Sequence, residues 1–174
     1  MQVFPDFLTD SVTVKNHAVN GRSTRSFIDE KRWDSVVSKL QKGDYVFIQF
    51  GHNDQKENDP KRYTNPHTAY RQNLMRFVKD ARAKEANPVL FTSIVRRNFN
   101  ENGTLVDTHG IYPQEMRLVA QQLEVPIIDL QYLTERLEAS YGVERSKKLH
   151  LHYAPQEIPY YPEGKTDDTH LSVL

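Results

Sequence analysis

Residues 45–56 read YVFIQFGHNDQK, and the reading of this stretch decides the fold. Tyr45, Val46, Phe47, Ile48 and Phe50 surround a single Gln49, a composition that suits a short strand buried on both faces. The run stops at Gly51 and delivers His52, Asn53 and Asp54 in a row. In α/β proteins the carboxyl ends of buried strands are where ligands are met, so the same twelve residues raise the question of a site.

Three more short segments rich in β-branched or aromatic residues read as strands: Val12–Val19, Val89–Val95 and Pro126–Leu130. Helical spacing separates them. Trp33, Val36, Val37 and Leu40 fall at i, i+3, i+4 and i+7, as do Met116, Val119, Ala120 and Leu123; Tyr70, Leu74, Phe77, Val78 and Ala81 line one face of a longer helix. Leu130, Leu133 and Leu137 suggest another, and all of these stripes are read as core packing. Strands alternating with amphipathic helices imply a mostly parallel open sheet with right-handed crossovers and helices on both faces. Asn58-Asp59-Pro60 and Asn100-Glu101-Asn102-Gly103 are turns inside the fold, so residues 1–174 are expected to form one domain.

The composition narrows the function. Lys plus Arg and Asp plus Glu each count 23, the formal net charge is zero, and no long run of one sign steers the chain to nucleic acid or anionic lipid. With no cysteine, disulfides, thiolate metal sites and cysteine nucleophiles are excluded. No stretch is long and apolar enough to span a membrane, and MQVFPDFLTD lacks the pattern of a signal peptide. Taken with Met1 as the true start this favours the cytoplasm, whereas a longer N-terminus would allow secretion.

Four polar groups are expected along the carboxyl edge of the sheet: Asn20-Gly21-Arg22-Ser23, Gly51-His52-Asn53-Asp54, Arg96-Arg97, and Asp167-Asp168-Thr169-His170. Together they supply the parts of an acyl-transfer site. Ester hydrolysis places negative charge on the carbonyl oxygen, which the Gly21 N–H and the Asn53 carboxamide are suited to stabilise. A base must take the proton of the attacking hydroxyl; His170 fits, with Asp167 fixing its tautomer. Each part also has a plain structural alternative: Asn-Gly is a common turn, Asn53 or Asp54 could cap a helix, and Asp-Asp-Thr could cap a terminal helix.

At these residues the chain resembles a known family. NHAVNGRS, FIQFGHNDQK and DDTHLS are similar to three of the four signature blocks of the SGNH (GDSL-type) hydrolases, most closely the rhamnogalacturonan acetylesterase-like branch, in which stretches similar to SIVRRNFNENGTLVDTHGIYP also occur. The resemblance implies a flavodoxin-like three-layer α/β/α fold and no metal or organic cofactor. It implies deacetylation of plant cell-wall polysaccharide or its oligosaccharides, with Gly21 and Asn53 in the oxyanion hole, His170 as base and Asp167 as its orienting acid.

One block is missing. The family's serine belongs to a Gly-Asp-Ser motif on a first strand, and this sequence contains no Gly-Asp-Ser. QVFPDFL resembles the end of the helix that follows that motif, so the chain is expected to be incomplete at both ends, lacking the first strand and the closing helix. Ser23 is the one serine placed near the right edge, and capping a helix is its expected role. Two other functions compete. The first is a noncatalytic carbohydrate-binding or interaction module in which HLHYAPQEIPYYPEG walls a sugar site and Arg96 or Arg97 pairs with a uronic carboxylate. The second is metal-assisted hydrolysis through His150 and His152, for which no third ligand is identifiable.

Overall fold

The computed structural model describes residues 4–172. Three parallel strands form its centre: β1 (Tyr45–Gln49), β2 (Asn87–Phe91) and β3 (Ile127–Ile128), adjacent in that order, with Tyr45 opposite Asn87 and Leu90 opposite Ile127. The crossovers are α3 (Arg71–Ala83), entered through a π-helical turn at Pro66–Tyr70, and α4 (Tyr112–Leu123). Two short helices, α1 (Thr24–Asp29) and α2 (Arg32–Val37), precede β1; α5 (Leu130–Arg145), kinked at Gly142 (φ 70°), follows β3. An antiparallel pair, β4 (His150–Tyr153) and β5 (Lys165–Leu171), completes the described chain. The expected α/β class with a parallel sheet is what the chain forms.

The core explains why the predicted helices form. Leu74, Phe77, Val78 and Ala81 are fully buried along α3, and Met116, Val119 and Ala120 along α4, all packed with Val46, Ile48 and Leu90 of the sheet. Trp33 and Phe50 pack on Phe77 with ring centroids 4.5 and 5.4 Å away. Asp129 knits the far end together: its carboxylate caps α5 at Tyr132 N–H, accepts the Thr92 hydroxyl at the end of β2, and pairs with Arg117 of α4.

Three expectations are corrected. Val12–Val19 is irregular and mostly exposed; its alternation has no strand to pair with among the described residues, and an unpaired backbone gains nothing from extension. β1 is buried on one face only: Val46 and Ile48 point into the core, while Tyr45 is 72% exposed and Phe47, 39% exposed, meets Phe4 and Phe91. The Leu130, Leu133 and Leu137 stripe is helical, yet Leu133 and Leu137 are exposed rather than core. Among the described residues β1 pairs with β2 alone, so its other edge is open.

Candidate active site

The turn before α1 supplies the first part. Gly21 has φ 76°, a left-handed conformation that glycine adopts without penalty, and a Cβ there would lie 3.8 Å from Arg62 Nη1. Ser23 then caps α1 in a reciprocal box with Ser26, which settles Ser23 as a structural serine, fully buried.

β1 supplies the second part. Gly51 (φ 141°) leaves the strand where a Cβ would fall 2.6 Å from Ser93 Oγ, so only glycine fits. Asp54, fully buried, turns back beneath α1: it accepts from Thr24 N–H (3.0 Å), Thr24 Oγ1 (2.5 Å) and Thr64 Oγ1 (2.7 Å). Burial pushes its carboxyl up to about 6 despite these donors. Asp54 thereby fixes the Gly21–Ser23 turn over Asn53, whose Nδ2 donates to Arg22 O (3.2 Å) and whose Oδ1 accepts from Arg62 Nη1 (3.3 Å). One hydrogen of the Asn53 amide is then left for another acceptor.

The third part comes from β5, where a helix cap was the plain alternative. The register slips between Leu151↔Asp167 and His150↔Leu171, so Asp168, Thr169 and His170 form a bulge. Asp167 Oδ1 accepts the backbone N–H of Thr169 (2.9 Å) and His170 (3.0 Å), and Oδ2 bonds His170 Nδ1 at 2.9 Å. Partial burial raises the Asp167 carboxyl, but the two backbone donors and the imidazole outweigh it and hold the group well below the usual carboxylate range. The proton on Nδ1 leaves His170 Nε2 as an acceptor on an exposed ring. Asn53 is thus tied to the Gly21–Ser23 turn through Arg22 O, and Asp167 and His170 are tied to each other on β5.

The arginines behave differently. Of the two arginines offered for a uronic carboxylate, Arg97 is engaged within the protein: Nε donates to Ser146 Oγ, Nη1 to Asp168 Oδ1 (2.8 Å) and Nη2 to Val143 O, so its guanidinium anchors the bulge that carries His170. Arg96 donates to Thr108 and to His52 O beneath the site. Of the two histidines offered to a metal, His150 Nε2 is bonded to buried Glu138 (2.6 Å) and His152 Nε2 to Asp168 (2.7 Å), and no cluster of three or more His, Asp or Glu suited to a metal ion occurs among the described residues. Sequence reading missed Arg62 and His109, which lie 9 and 57 residues from their partners Asn53 and His52; loops bring them in, and no local periodicity marks them.

The chain is similar to known proteins. Residues 2–173 match the GDSL-like Lipase/Acylhydrolase family. The chain is 45% identical over 171 residues to the rhamnogalacturonan acetylesterase RhgT of Bacillus subtilis, covering 98% of this chain and 72% of that one. It is 32% identical to the probable rhamnogalacturonan acetylesterase YesY of the same organism, covering 98% and 74%. The fold superposes on the crystal structure of Bacillus subtilis YxiM with a TM-score of 0.79 at 21% identity; 98% of this chain but only 44% of that one is covered.

Proposed function

Since the chain belongs to the GDSL-like lipase/acylhydrolase family, we propose that it forms the catalytic framework of a carbohydrate O-acetylesterase acting on rhamnogalacturonan-type pectic polysaccharide or its oligosaccharides. The observation that carries the reading is the Asp167–His170 hydrogen bond, held on a bulge of β5.

The steps follow from the donors and acceptors. A serine hydroxyl attacks the acetyl carbonyl carbon while His170 Nε2 takes its proton, and Asp167 stabilises the imidazolium through Nδ1. The carbonyl π pair moves onto oxygen, where the Gly21 N–H and the free hydrogen of Asn53 Nδ2 receive it, each such donor being worth roughly 2–4 kcal/mol in related chemistry. Collapse breaks the bond to the sugar oxygen, which leaves with the proton from His170. Water then repeats the sequence on the acyl-enzyme and releases acetate. Among the described residues no hydroxyl hydrogen-bonds to the His170 ring, so the scheme assigns the role of nucleophile to none of them.

The test is hydrolysis of 4-nitrophenyl acetate and of acetylated rhamnogalacturonan oligosaccharide by the whole gene product, with a fluorophosphonate locating the nucleophile. Labelling of one serine, and loss of turnover in His170→Ala, support the scheme; full turnover in His170→Ala contradicts it. A second reading, a noncatalytic sugar-binding module, draws on Tyr153 stacked on Tyr161 (5.9 Å, 20°) and on Tyr160, 83% exposed, in the β4–β5 connection. Saturable oligosaccharide binding with no labelled serine and no hydrolysis would favour it.

A further inference from the structure

His52 sits between the strand and Asn53, and the scheme above gives it no task. Its Nδ1 lies 3.0 Å from His109 Nε2, the rings edge to face with centroids 4.5 Å apart. His109 is buried, and its other nitrogen, Nδ1, is buried with no partner in the protein. His52 is partly exposed, and its Nε2 has neither a protein partner nor a place among the buried atoms.

One proton must be shared across the 3.0 Å contact, and the surroundings decide which ring carries it. A buried N–H left without an acceptor costs more than a buried lone pair left without a donor. His109 therefore keeps Nδ1 bare and carries its hydrogen on Nε2, donating to His52 Nδ1. A neutral His52 that accepts at Nδ1 has to carry its hydrogen on Nε2. Neutrality is enforced from every side: burial first, then His109, Arg96, His170 and Lys56, hold His52 down to about 3; burial and Arg96, against Asp107, hold His109 down to about 4.

We infer that His52 presents a fixed, uncharged Nε2–H donor beside Asn53, that His109 locks it in that tautomer, and that the donor binds an oxygen of the acetylated sugar adjacent to the ester. The inference rests on the esterase reading for its ligand, but its tautomer does not. His52 is a substrate-contacting residue in this assignment and His109 a positioning residue. An uncharged donor suits a hydroxyl, ring or carbonyl oxygen of the sugar.

Long-range 1H–15N correlation spectra of this chain, specifically labelled at histidine, test the tautomers directly. The expected result is Nε2–H for both His52 and His109, unchanged from pH 8 to pH 5. In His109→Phe the lock is gone, and His52 becomes a tautomer mixture that protonates at higher pH; in His109→Gln the side-chain amide donates in its place, and His52 stays as it was. Titration with acetylated rhamnogalacturonan oligosaccharide, followed by calorimetry, tests the contact: His52→Phe keeps the ring and loses the donor, with an expected loss of affinity of about tenfold. Nδ1–H at His52, or equal affinity in His52→Phe, overturns the inference while leaving the esterase reading intact. No binding by the unaltered chain overturns both.

Discussion

Asp54 offers a quantitative test of how the site is held together, because two opposing effects act on one carboxyl. Three donors favour its ionised form, while complete burial favours the protonated one, and burial prevails, raising it from 3.8 to about 6. The folded state thus binds this proton more tightly than the unfolded chain, and stability falls with pH wherever the unfolded chain holds fewer protons. The contribution is fully present below pH 3.8 and is lost as pH rises through about 6. A shift of roughly two units corresponds to about 3 kcal/mol, of which about 2.5 kcal/mol falls between pH 4 and pH 8. Asp54→Asn removes the titration and keeps an oxygen for Thr24 and Thr64. Urea unfolding of both proteins at several pH values isolates the effect, since every other group titrates alike in the two. The stability of Asp54→Asn minus that of the unaltered protein should rise by about 2.5 kcal/mol from pH 4 to pH 8, whatever its constant offset. A difference that is flat, or that falls with pH, would mean that the hydrogen bonds prevail over burial and that Asp54 is held ionised.

Other perturbations address the base and the packing. Asp167→Asn should lower kcat of the whole gene product by roughly two to four orders of magnitude with little change in KM, measured on an aryl acetate, because the imidazole loses its tautomer lock and its counter-charge. Arg97→Lys replaces a fork that grips Ser146, Asp168 and Val143 with a single ammonium, and chemical denaturation should show a loss of about 1–3 kcal/mol. Phe77→Ala empties the fully buried space between Trp33 and Phe50 and should cost about 3–5 kcal/mol in the same assay.

Which features could be read from the sequence follows from the range of the forces that make them. α3 and α4 were legible because burying Leu74, Phe77 and Val78, or Met116 and Val119, needs helical spacing and little else. β1 was legible as a strand but not as a one-sided one, since a run of aromatics does not say what lies over Tyr45 and Phe47. Val12–Val19 shows the same limit from the other direction: alternation makes a strand only where a neighbour offers hydrogen bonds. In Asp167–His170 the three-residue spacing suited a helix cap, and a bulge in β5 achieves the same reach from carboxylate to imidazole. The pairing of His52 with His109 across 57 residues, like the diversion of Arg97 to Asp168, is set by loop closure and leaves no periodic trace.

That a turn amide, a carboxamide and an acid-held imidazole surround one acyl oxygen is most directly tested by the product itself. Sodium acetate titrated into the 15N-labelled chain should shift the Gly21 amide, the Asn53 side-chain amide and the His170 ring together, along one saturation curve. Shifts confined to other parts of the surface, or three curves with unrelated midpoints, would show that these groups do not share an acyl site.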